Sequence, residues 1–274
     1  MKNKTKRTII ILICLTAVFS IFVVSYTSGK IVDGTKNDKM ESAVASIMQN
    51  DSEQDMLYSE CATEGHIILG YKEKTNGYAV YTLTMVTQFG FENGNFTDIS
   101  GTGTIPCVIN LNSNYELVNI EYTSDGGSYY KSIKKRFPKK YQRRSIDADD
   151  SYNADFVNLQ NQNIVKAKEY LKSINRSADV GYRYNFENQY PVLTDYGVSV
   201  DVSNKISQYQ RVVELNKFPY WIGNKEIIEN GKRYLYETNL DTKNNEIIYT
   251  KSDYETGQIL AVYIISSLTG ELKK

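Results

Sequence analysis

From Thr8 to Tyr26 the chain reads TIIILICLTAVFSIFVVSY, a run of nineteen residues without a charge. At 1.5 Å of rise per residue, a helix of about 19 residues spans roughly 28 Å, close to the hydrocarbon thickness of a bilayer. Lys2, Lys4, Lys6 and Arg7 precede it with no acid among them. A basic flank belongs on the cytoplasmic side, which predicts that residues 27–274 are exported. The run is longer than the apolar region of a cleaved signal, about 7–15 residues, and Thr27-Ser28-Gly29 is a poor cleavage site. An uncleaved signal-anchor is therefore expected over a secreted form. Cys14, inside the run, reads as an apolar-tolerant residue.

The 32 basic and 32 acidic residues balance only across the whole chain. Four of the basic ones precede the anchor, which leaves 28 against 32 acids on the exported side. A slightly acidic exterior argues against nucleic acid as a partner, since such binders carry a strongly basic domain. The partners this organisation predicts are the bilayer itself, through residues 8–26, and an envelope protein or anionic envelope ligand. Cys61 and Cys107 lie in an oxidising compartment, where a bridge between them is allowed and spacing does not decide it.

Beyond a polar tether at 27–37, the patterning predicts an α+β exterior of two helix-plus-antiparallel-sheet units, 38–175 and 176–274. Asp38 with Glu41 three residues on has capping-box spacing, and Met40, Ala43, Val44, Ile47 and Met48 share one helical face. From 56 to 123 the period changes to two. Turn chemistry at Thr75-Asn-Gly77, Glu92-Asn-Gly-Asn95 and Asn112-Ser-Asn114 then predicts a meander. Ser128 opens a short helix with Tyr130, Ile133 and Phe137 inward, stopped by Pro138. A longer helix is expected from Asp155 to Ile174, and Asn175-Arg-Ser177 reads as the hinge. Val198, Val200 and Val202 alternate as a strand, and three more β-rich segments follow between 233 and 265.

Candidate chemistry is sparse. His66, the sole histidine, stands two residues from Glu64, so on a strand both face the same side. One histidine cannot supply the His-Glu-x-x-His pair of a zinc peptidase, and no metal or cofactor is predicted. Ser128-Tyr-Tyr-Lys131 matches the Ser-x-x-Lys acylation spacing, in which one helical turn sets the lysine beside the hydroxyl. The companion signatures of penicillin-binding enzymes are absent, so Ser128 and Lys131 are only weak catalytic candidates. Lys131 to Arg144 carries eight cations interleaved with Tyr130, Phe137 and Tyr141. Tyr130, Lys134, Lys135 and Arg136 are therefore candidates for an anionic surface, although Asp147, Asp149 and Asp150 follow closely enough to neutralise the run. Phe218-Pro-Tyr-Trp221, with the sole tryptophan, is the densest aromatic cluster. It reads as core closure first, and Tyr220 and Trp221 as a binding patch second.

Glu64-Gly-His66 with Gly70, Phe89-Gly-Phe-Glu-Asn-Gly94 with Phe96, and Ser100-Gly-Thr-Gly-Thr-Ile-Pro106 form one set of strings. Ser128 through Tyr141, Ala167-Lys-Glu-Tyr-Leu171, Phe218-Pro-Tyr-Trp-Ile-Gly223, Glu229-Asn-Gly231 and Tyr234-Leu-Tyr-Glu237 continue it. Across most of 56–240 these resemble the extracytoplasmic C-terminal region of bacterial beta-lactam-sensor-type membrane zinc peptidases, the antirepressor family. The family's multi-helix peptidase unit and its zinc motif are missing here, so zinc, proteolysis and antirepressor cleavage do not carry over. The resemblance implies an exported, non-catalytic binding or sensing module on its own anchor. The alternatives are an envelope serine hydrolase or acyltransferase using Ser128 and Lys131, and a module that regulates a peptidase.

Overall fold

The computed structural model describes residues 29–53, 58–212 and 214–273, with no side chain described at 210–214. The expected membrane helix at 8–26 lies outside them, and no helix among the described residues is long and apolar enough to cross a membrane. The chain is α+β and dominated by antiparallel strand pairs. It divides into two compact units whose sequences interleave.

The first unit comprises the described residues up to Met48, His66–Thr84 and Thr104–Val157. Strand β1 (Ile31–Asp33) pairs with the outer end of β2 (Cys61–Lys74) in the register Val32↔Tyr71. Part of the expected tether is therefore a strand. Helix α1 (Asp38–Ser52) is capped one residue earlier than the capping box suggested, because Asn37 Oδ1 accepts the Met40 N–H at 3.0 Å. Met40, Val44 and Met48, one turn apart, are wholly buried. They pack on Tyr71, Val80, Cys107, Ile109 and Leu111, the apolar stripe of an amphipathic helix closing a sheet face.

The first half of β3 (Gly77–Glu92) pairs with β5 (Ile105–Asn112), which also pairs with β6 (Leu117–Tyr122). Pro106 thus lies on an inner strand, although proline favours edges. It is tolerated because the β5–β6 ladder begins one residue later, at Cys107↔Tyr122.

Helix α2 (Tyr129–Arg136) stops where the sequence says it should. Phe137 precedes a proline, which disfavours helical backbone, and it sits extended at φ −98, ψ 140. Helix α3 (Lys139–Asp147) restarts beyond Pro138. Ile133 and Phe137 are buried as expected, but Tyr130 points outward at 59% exposure. Ser132, not Tyr130, shares the inner face, because α2 begins at Tyr129 and turns residue 130 to solvent. The buried Tyr141 of α3 donates to Asp33 Oδ1 at 2.6 Å. Gly70 makes room for it, since a Cβ there would lie 1.9 Å from the Tyr141 hydroxyl.

The second unit comprises Gln49–Gly65, Met85–Gly103 and the chain from Asn158 onward. The far end of β3 pairs with β4 (Asn95–Gly101), which runs parallel to the short β7 (Val180–Gly181). Strands β8 (Gly223–Glu229), β9 (Lys232–Asp241), β10 (Glu246–Asp253) and β11 (Ile259–Ser266) form a meander. It joins β3 through the single pair Glu92↔Lys225. Helix α4 (Ala154–Ser173) buries Leu159, Ala167 and Leu171, and also Asn163. The Asn163 amide is satisfied: its Oδ1 accepts from Thr63 Oγ1 at 2.6 Å and its Nδ2 donates to the Leu159 carbonyl at 3.0 Å.

Two expectations are corrected in this unit. Val198, Val200 and Val202 are not a strand, because helix α5 runs Val200–Val212. Ser199 caps it, its Oγ accepting the Val202 N–H at 3.3 Å. Val198, Val202 and Ile206 then face the core at helical spacing while Val200 is 64% exposed. The hinge expected at 175–177 also fails. Arg176 lies within the second unit, its guanidinium forked onto Glu226 at 2.6 and 2.9 Å.

Candidate functional site

The sequence candidates are divided between the two units. Ser128, Tyr130, Lys131, Lys134, Lys135 and Arg136 belong to the first unit, Tyr220 and Trp221 to the second. Ser128 occupies the N-cap position of α2 without a side-chain capping bond, and no hydrogen bond joins it to Lys131 among the described residues. Lys131, Lys134 and Lys135 are exposed. The rest of the basic run is largely committed: Lys140 to Asp33 at 2.7 Å, Arg144 to Asp155 at 2.7 Å, and Arg143 to Asp147 at 3.5 Å. Glu64 accepts from Lys166, and His66 Nε2 stands 3.0 Å from Glu41 Oε1. Cys61 and Cys107 are both buried, one in each unit, and no disulfide joins them. Burial, then Glu60, pushes the Cys61 thiol up to about 12, which leaves it little thiolate for disulfide chemistry.

What the second unit does assemble is a pocket of about 310 Å³, at the small end of the range for ligand sites. Its apolar wall comprises Phe91, Ile99, Phe218 and Trp221, with Tyr58 and the 56% exposed Tyr220 toward solvent. The β3–β4 turn places one side. Asn93 at φ +50 and Gly94 at φ +82 have the backbone of a tight hairpin turn. The Asn93 side chain accepts the Asn224 N–H at 2.8 Å and donates to the Gln189 carbonyl, tying the turn to β8. Gly223 permits this approach, since a Cβ there would lie 2.2 Å from Asn93 Oδ1.

Three arginines around the pocket are spent on carboxylates. Arg183 Nη2 donates to both oxygens of Glu92 at 2.9 and 2.8 Å. Its Nη1 reaches the Tyr220 hydroxyl at 3.3 Å, and the guanidinium lies 5.0 Å from the Trp221 ring centroid. Arg233 forks onto Glu60 and touches Glu226 at 2.8 Å, where Arg176 also binds. Burial pushes the Glu92 carboxyl above its usual range while Arg183 pulls it down.

Lys225 is different. It lines the pocket, yet its ammonium makes no hydrogen bond or ion pair among the described residues. Burial draws its amine down to about 8, Glu92 opposing and Arg183 reinforcing. Among the lining residues, two buried polar atoms lack a partner, Arg183 Nε and Trp221 Nε1. Both are donors.

This depressed amine carries a pH signature. Between pH 8 and about 10.5 the unfolded lysine holds a proton that the folded one has shed, so folding stability rises with pH across that window. For a shift of this size the effect is about 3 kcal/mol. Lys225→Met, which removes the titration, is expected to be more stable than the wild type at pH 7 and to lose that advantage toward pH 10.5. Denaturant melts of both proteins at the two pH values check it, and a pH-independent difference would refute the depressed amine.

Sequence reasoning found Tyr220 and Trp221 as an aromatic cluster and missed Glu92, Arg183 and Lys225. An isolated charge in a strand or turn looks like a solvated one, and no local signal marks these three. In comparisons with known proteins, no family model, no curated protein and no solved structure matches the chain.

Proposed function

We infer that the protein is a single-pass membrane protein whose exported part, two helix-on-sheet units, is a non-catalytic binding or sensing module. The observation that carries the binding role is the pocket of the second unit, with an aromatic wall and a lysine that no carboxylate holds. The anchor role is supported by the uncharged run at 8–26 behind four cations. The resemblance to the outer region of antirepressor-type transducers agrees with both.

Two measurements test this. Protease added to intact cells should digest the chain beyond residue 40; protection until the cells are lysed would sink the export claim. Trp221 is the sole tryptophan and lines the pocket, so its emission reports directly on occupancy. The full chain in detergent should change its emission when the low-molecular-weight fraction of an envelope extract is added, and an unaltered spectrum would count against the binding role.

A further inference from the structure

The pocket's chemistry is one-sided. Its lining residues hold two buried N–H groups without partners, at Arg183 Nε and Trp221 Nε1, and an ammonium at Lys225 that no carboxylate meets. No buried acceptor of a lining side chain is left unmatched. A buried donor without a partner is a cost that an acceptor removes, and a partly buried cation gains most from an anion.

The charge of the pocket sets a limit on that anion. Glu92 and Arg183 are the charged groups that act on Lys225, and they are already bound to each other. Lys225 is thus a single uncompensated positive charge. Glu226, also in the wall, is held by Arg176 and Arg233. A monoanion balances this arrangement, whereas a dianion would bring its second charge against two carboxylates. Phe91, Phe218, Tyr220 and Trp221 supply flat apolar surface beside the cation.

We propose that the pocket binds a small organic monocarboxylate with a planar apolar body, its carboxylate on Lys225 and its body against Phe218, Tyr220 and Trp221. The proposal rests on the binding-module reading and names the ligand class of that site.

The test titrates the full chain in detergent with phenylacetate, phenylacetamide and phenethylamine, three probes of one shape that differ in charge, and follows Trp221 emission. Phenylacetate is expected to bind at least tenfold tighter than the amide, as a hydrogen bond to a charged group implies. Lys225→Met should lose about tenfold or more for phenylacetate and little for the amide. Lys225→Arg, which keeps the charge, should hold the acid's advantage and serves as the control should the methionine variant fold poorly. Equal affinity for acid and amide, or phenylacetate affinity unchanged in Lys225→Met, would overturn the proposal. Binding of the amide or the amine in preference to the acid would overturn the carboxylate and leave the binding reading standing. No response to any of the three would overturn the carboxylate and weigh against the binding reading as well.

Discussion

Arg233→Met is expected to destabilise the second unit by about 3–5 kcal/mol, the cost of leaving a buried charge without its partner. Arg233 donates to both oxygens of Glu60, at 2.7 and 2.5 Å, and its Nη1 also touches Glu226. The Glu60 side chain is only 3% exposed. After the substitution it keeps the Tyr170 hydroxyl at 3.0 Å, and a neutral donor does not replace a guanidinium fork. The shift should appear as a lower denaturant midpoint at unchanged slope. The double variant Arg233→Met with Glu60→Gln should recover part of the loss, because it leaves no orphaned charge. The pair Arg143–Asp147, whose arginine is 94% exposed, provides the contrast: Arg143→Ala is expected to change stability by less than about 1 kcal/mol. A loss from Arg233→Met no larger than that would mean Glu60 reaches water.

Phe218→Ala should cost about as much, roughly 3–5 kcal/mol, for a different reason. Phe218 is 4% exposed. Its ring meets the edges or faces of Tyr236, Tyr249 and Tyr263 at centroid distances of 5.0, 5.3 and 6.0 Å, all near perpendicular. Truncation removes both the buried area and the favourable ring geometry, worth about 0.5–1.5 kcal/mol per pair beyond burial. Phe218→Leu preserves most of the volume and should lose much less. Thermal or denaturant melts compare the two, and near-equal losses would show that the retained volume contributes nothing and that the ring contacts account for the whole effect. Because Phe218 also lines the pocket, the alanine variant should change Trp221 emission even where it remains folded.

Several elements were legible before the structure, and for local reasons. In α1, Met40, Val44 and Met48 repeat at helical spacing, and a stripe one turn apart has only one way to be buried together. The stop at Pro138 and the turn at Asn112-Ser-Asn114 rest on the backbone limits of single residues. Val198, Val200 and Val202 misled because Val198 and Val202 also satisfy helical spacing once Ile206 completes the set, which leaves Val200 to solvent. A serine cap at Ser199 tips the balance, and capping competes with strand formation only where the neighbouring helix finds a core. The hinge at 175–177 misled because a polar Asn-Arg-Ser stretch resembles a linker until Arg176 is seen on Glu226.

The candidate site divides along the same line. Tyr220 and Trp221 announced themselves because aromatic residues adjacent in sequence form a cluster in any fold. Their cationic neighbours did not, since Arg183 and the Glu92 that holds it are 91 residues apart. Periodicity, turn residues and the uncharged run at 8–26 are properties of short stretches, so the sequence by itself determined most element types, the helix at Val200–Val212 excepted, and predicted an anchor. Which charges are spent and which stay uncommitted depends on distant segments meeting within about 3 Å in a medium that water barely enters. Only the tertiary structure decided that Arg176, Arg183 and Arg233 are neutralised while Lys225 is not.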